Sequence, residues 1–146
     1  MASFVKGPVG GGKPFGKNEF LRSTQDVKYE SYTFAAASLP AVGGQKILQP
    51  GTVVAKITSG DDAGKIGAFS ADALDGRQTL TNIVGINSTF LPWQLLERDV
   101  EVAVVVEGRV VQAWCLEFAA GGAAVALTDT TAAGLVGKKS VSILFS

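Results

Sequence analysis

From residue 47 onward the apolar positions fall in short runs separated by turn-forming residues, the spacing of a small β-rich domain. The clearest run is Val100–Glu107, VEVAVVVE, almost continuously apolar between charges, which predicts a core strand. Gly108–Arg109 then predicts a tight turn, with Val110–Leu116 pairing back. Thr52–Thr58 (TVVAKIT) predicts a strand leaving the Pro50–Gly51 turn, Ser59–Gly64 (SGDDAG) a hairpin tip, and Lys65–Phe69 the returning strand. Ser70–Gly76 reads as a loop closed by Asp75–Gly76, and Thr79–Asn87 as a further strand. Residues 26–34, rich in aromatic and β-branched side chains, predict a strand, and residues 140–145 a closing one. Helix is scarce. A helical turn is expected from Pro92 within Leu91–Arg98. A short helix is expected over Thr128–Gly134, with Thr128 as cap, Asp129 in the first turn and Gly134 as terminator. The fold class is therefore mainly β with minor α: one barrel-like domain, residues 23–146, with short helices.

Residues 1–22 break this pattern. Five glycines and Pro8 and Pro14 deny the segment a helix or an independent strand. Phe4, Val5, Phe15, Phe20 and Leu21 punctuate it. Apolar anchors on a flexible stretch predict an extended N-terminal arm that docks on a partner.

Charge sharpens the division. The whole chain of 146 residues is neutral, with 13 basic and 13 acidic residues. Lys6, Lys13, Lys17 and Arg22 against Glu19 give the arm a net +3, so residues 23–146 carry −3. A basic arm on a mildly acidic body fits a tail that reaches for something, whereas the body lacks the basic face of a nucleic-acid binder. At 47% hydrophobic and 18% charged, the chain has the means to bury a core. Histidine is absent, which excludes histidine-based triads and histidine-rich metal sites. The single cysteine, Cys115, allows no internal disulfide and reads as a buried structural thiol between Trp114 and Leu116. No apolar run approaches the roughly 20 residues of a spanning helix, so no membrane role is expected.

Candidate chemistry is thin. Gly7–Pro14, GPVGGGKP, follows the phosphate-binding template GxxxxGK[ST] except at its last position. The exception matters: Pro14 has neither the hydroxyl for magnesium nor an N–H for the phosphate cradle, and no strand precedes Gly7. Asp61, Asp62, Asp72 and Asp75 lie on turns without a calcium-loop pattern and read as solvated. Asn87-Ser88-Thr89 is a formal glycosylation sequon with no secretory signal ahead of it. Trp114 predicts a core position. Trp93 and Leu95, in the longest connection between strands, are candidates for a subunit interface, where aromatics are enriched.

Three blocks in order carry a family likeness: Pro50-Gly51-Thr52-Val53-Val54-Ala55-Lys56; Ala73-Leu74-Asp75-Gly76-Arg77-Gln78-Thr79 followed by Ile83-Val84-Gly85-Ile86; and Ala103–Val106 followed by Glu107-Gly108-Arg109-Val110-Val111. Together they resemble the lambda-type head decoration proteins of tailed bacteriophages. The likeness covers somewhat under half of the chain, and residues 118–146 have no match in it. It implies a non-enzymatic structural protein without cofactors, metal or small-molecule substrate. Such a protein sits on the outer surface of the virion, bound as a homotrimer to the expanded capsid, and stabilises the shell. The resemblance also implies that the N-terminal arm pairs with the major capsid protein, which here falls on Phe4, Val5, Lys6, Lys13, Phe15, Lys17 and Phe20. The alternatives are another virion component, such as a head-fibre base or tail protein, and a dUTPase-like small trimeric hydrolase. The last would need an acid where Val84-Gly85-Ile86-Asn87 has asparagine. Nucleic-acid binding by the basic arm is a further alternative, and predicts a steep loss of affinity with salt.

Overall fold

The structure is a computed structural model that describes residues 20–21, 27–39, 45–92, 96, 98–118, 124–136 and 142–145. Its centre is the valine-rich strand. Val100–Val110 (β5) follows Lys28–Phe34 (β1), Val53–Lys56 (β2), Ile66–Ala68 (β3) and Ile83–Asn87 (β4) in the chain. In space β1, β3, β2, β4 and β5 are neighbours in that order, and β5 pairs back onto β1, which closes a five-stranded barrel. The pairings are antiparallel except at the β1–β3 seam, which is parallel and has one registered pair, Phe34 with Ile66.

The continuous apolar character of β5 and β2 follows from burial on both faces. One cluster draws on Phe34, Val54, Ile66, Ala68, Val102 and Val104, with Val84 packed against it, so every barrel strand contributes; this is the barrel interior. The other draws on Val53, Ala55, Ile83, Ile86, Val105 and Val110 from β2, β4 and β5 only. It lies outside the barrel, under Phe20, Cys115, Leu127, the helix Asp129–Val136 (α1) and the strand Ser142–Phe145 (β8). Adjacent residues such as Val53 and Val54 thus enter different cores, as strand alternation requires.

Several expectations change. Gly108–Arg109 is not a turn: β5 runs on to Val110 because β8 pairs with it in parallel, from Glu107–Ser142 to Val110–Phe145. Val110–Leu116 therefore does not pair back. A 3-10 turn at Gln112–Trp114 intervenes, and Leu116–Phe118 (β6) pairs instead with Ala124–Ala126 (β7). Trp114 is half-buried against the outer cluster rather than in a strand. The front of the expected strand 79–87 is a 3-10 turn, Leu80–Asn82, held by Asn82 Nδ2 donating to Gly76 O at 2.7 Å. Thr128 does cap α1, its Oγ1 accepting from Thr131 N at 3.3 Å. Gly134 does not end the helix, which continues to Val136. A Cβ at Gly134 would lie 3.2 Å from Leu80 Cδ1, so close packing of this side chain explains the glycine. The turn expected from Pro92 falls largely outside the described residues.

Candidate functional site

Of the residues expected to bind a capsid, Phe4, Val5, Lys6, Lys13, Phe15 and Lys17 lie outside the described residues, as do Trp93 and Leu95. Phe20 is described, and it corrects the arm. It is 1% exposed in the outer core cluster, its carbonyl accepts from Val111 N at 2.6 Å, and Leu21 bridges to Val110. A phenylalanine so placed is spent on the body's own core and cannot anchor on a partner. The body therefore begins by Phe20, near the C-terminal end of β5.

The loop between β3 and β4 is held by several interactions. Asp75 O accepts from Thr58 N at 2.8 Å and from Ser59 N at 3.3 Å, which ties the loop to the β2–β3 hairpin. Gly76 adopts φ +108°, and a Cβ there would collide with Thr58 Oγ1. Arg77 lies mostly covered. Its Nε donates to both oxygens of Asp75, and its Nη1 donates to Ser38 O at 3.1 Å and Ala68 O at 2.9 Å. Its guanidinium fork thus joins three segments at once. Beside it a shallow cavity of about 180 Å³ is floored by Ala68, Ala73 and Phe118 and rimmed by Ser70, Asp72 and Arg77. Leu74, on the outer side of this fixed loop, is 91% exposed.

A second charged cluster joins the hairpin to the seam. Lys65 Nζ donates to Asp62 Oδ1 at 2.9 Å and to Asp99 Oδ2, while Asp99 Oδ1 accepts from Ala36 N at 3.0 Å. The hydrogen bonds to Asp99 and Asp62 push Lys65 up to about 12, and the bonds from Lys65 and Ala36 hold Asp99 below the usual aspartate value. So Asp62 is an ion-pair partner, whereas Asp61 is exposed on the tip as expected.

The remaining polar candidates have structural tasks. Asn87, fully buried, donates from Nδ2 to Gln49 O and Thr89 O, and its Oδ1 accepts from Thr89 N. It fixes two connections, and being buried it offers no glycosylation acceptor. Cys115 is buried with its Sγ 3.5 Å from Val111 O. Glu117, which the sequence reading passed over, is 7% exposed and accepts from Thr128 N at 2.7 Å and Thr131 Oγ1 at 3.2 Å, a carboxylate at the start of α1. Among the described residues no group of three or more acidic or thiol side chains is placed to hold a metal ion. Leu74 and Arg77 were not among the site residues expected from the sequence. Their signals were an apolar residue inside a polar turn and an arginine directly after Asp-Gly.

No protein-family model matches the chain, and no curated protein matches it.

Proposed function

We propose that the protein is a capsid decoration protein of a tailed phage. It binds the outer surface of the expanded head as a homotrimer and stabilises the shell, with its N-terminal segment pairing with the major capsid protein. The observation that carries this reading is the spatial arrangement of the three family-like blocks. They form β2, the locked loop with β4, and β5, and these three strands are consecutive neighbours in the barrel. Their distinctive residues hold the geometry: Gly51 turns at φ +95°, Gly76 and Arg77 fix the loop, and Gly85 lets β5 approach closely. The likeness falls on one wall of the barrel, which fits this reading.

The capsid-binding segment is narrowed to residues before Phe20, with Phe4, Val5 and Phe15 as apolar anchors and Lys6, Lys13 and Lys17 as charges. Ordering such a segment on a partner costs entropy, and three copies in one trimer offset it through effective concentration.

The test is co-sedimentation with expanded, undecorated heads of the phage encoding this chain. Two proteins are compared: the intact chain and one lacking residues 1–18, which keeps Phe20 and Leu21. Saturable binding in multiples of three, lost on truncation, is expected. No binding by the intact protein would overturn the decoration reading, and equal binding by the truncated one would overturn the role of the arm.

A further inference from the structure

β1 has one partnered edge and one open one. Ser31 is registered with Ala103 on β5, yet Ala103 O accepts from Ser88 N at 2.9 Å and Ala103 N donates to Thr89 Oγ1 at 3.0 Å, on the β4 side. An antiparallel pair either exchanges both of its backbone bonds or turns both residues away. Ser31 therefore points its N–H and C=O away from β5. Tyr29, two residues back, does the same, and so does Ala35, whose N–H reaches Ile66 O on β3. Glu30 and Tyr32 face β5 instead. Since β3 meets β1 only at Phe34, no strand among the described residues lies against Tyr29 and Ser31.

This stretch also stands clear of the core: Lys28, Tyr29, Glu30 and Ser31 are all exposed. An extended edge with unpaired N–H and C=O groups is a template for another strand, and native proteins cover such edges. Lys28 does not guard it, being paired to Glu107 on β5.

The chain outside the described residues limits what the cover can be. Every internal segment of that kind is five residues or shorter and is bounded by described residues at both ends, whereas residues 1–19 form one stretch. That stretch ends at Phe20, beside Val111, and β1 begins with Lys28 registered to Glu107, so both meet the same end of β5. Its sequence divides in two. Ala2–Lys6 (ASFVK) has neither glycine nor proline and carries Phe4 and Val5, both good strand formers. Gly7–Gly16 holds all five glycines and both prolines of residues 1–22. Residues 7–19 span about 43 Å when extended, whereas Ser31, registered to Ala103, lies about 27 Å along β5 from Val111.

We infer that Ala2–Lys6 of the same chain adds to the open edge of β1 as a further strand. Attachment favours the chain's own segment over a second copy's, because it presents that segment at an effective concentration on the order of millimolar. The seat occupies Phe4 and Val5 in the unbound protein, so a partner that takes the arm must displace it from β1. The inference shares the arm with the proposed function but rests on the edge of β1, not on a capsid.

Residue-resolved amide exchange of the full chain, without capsid, is the measurement. The amides of Tyr29 and Ser31 are expected to be protected in the intact protein. Phe4→Pro and Val5→Pro lie on alternate positions, so one of the two removes an N–H directed at β1. That variant is expected to speed exchange at Tyr29 and Ser31 by about tenfold or more, with the amides of Glu30 and Tyr32, bonded to β5, unchanged as the check on folding. Dilution of the intact protein is expected to leave the protection as it is. Rapid exchange at Tyr29 and Ser31 in the intact protein would show an empty edge, equal protection in both variants a different cover, and protection lost on dilution a second copy; each overturns the inference. Protection as expected, with no binding to heads, would support the inference and count against the decoration reading alone.

Discussion

Gly85 shows how one atom sets a residue's identity. Its φ is +152°, and a Cβ there would run into Val105 O and Val104 Cγ1. The carbonyl belongs to the central strand and cannot move without breaking the barrel wall. Gly85→Ala is therefore expected to destabilise by about 3 kcal/mol or more, through backbone strain and a clash together. Gly76→Ala meets the Thr58 side chain, which can shift, and should cost about 2 kcal/mol. Gly60→Ala, at φ +87° with nothing within 4 Å, bears only the conformational term of about 1 kcal/mol. Denaturant melts of the three variants should preserve that order. Glu117 works by a different route: Glu117→Ala would leave Thr128 N–H without its acceptor at the start of α1, a loss of about 2 kcal/mol, while Glu117→Gln retains an acceptor and should lose less. Gly60 and Gly76 are legible in the sequence as turn residues, whereas Gly85 sits inside an expected strand and carries no such signal. The partners that make Gly85 and Glu117 indispensable come from residues 11 to 20 positions away, and no local pattern announces them.

At the scale of elements, the strands with their own hydrophobic pattern were legible. β1 to β4 lie within the runs read from alternation and apolar content, β5 starts at Val100 as expected but overruns its expected end by three residues, and β8 lies within residues 140–145. What misled was local turn chemistry overruled by distant pairing. Gly108-Arg109 looks like a hairpin turn, yet β8, more than 30 residues later, supplies a parallel partner that keeps β5 extended. The glycine-rich stretch before Phe20 makes it look like part of the arm, and only the tertiary structure shows that it fills the outer core. This relocates a truncation boundary. Removing residues 1–22 deletes a fully buried phenylalanine, and the product should be about 3–5 kcal/mol less stable than a chain lacking residues 1–18. Paired urea melts test this. Equal midpoints would show that Phe20 contributes nothing and would restore it to the arm. Of the candidate site, the basic arm was legible as composition. The locked Leu74 loop was not, since its rigidity comes from Thr58, Ser38 and Ala68, which lie outside the motif.

The whole barrel is only as sound as its seam, because β1 and β3 share one registered pair and the bond from Ala35 N to Ile66 O at 2.8 Å. Next to it Asp99, just before β5, accepts from Ala36 N just after β1 and is ion-paired to Lys65, which immediately precedes β3. One carboxylate therefore ties together the three strands whose ends meet at the closure. Asp99 is held below its usual value by Lys65 and Ala36, so its contribution is present above the unfolded aspartate value of 3.8 and is lost as pH falls through the lower folded value. Lys65 is raised from 10.5 to about 12, so its contribution is present below 10.5 and is lost as pH rises through about 12. Between those limits the tie is intact. The expected consequence of acid is local: amide exchange at Ala35 and Ala36 should accelerate below pH 3.8 before the amides of Val104 and Val105 in the middle of β5 lose protection. Asp99→Asn keeps an oxygen for Ala36 N but removes the charge, so its exchange at the seam should be faster at neutral pH and much less dependent on acid. Parallel loss of protection at the seam and in β5, with the same acid dependence in Asp99→Asn, would show that the barrel opens as a unit and that Asp99 does not govern its closure.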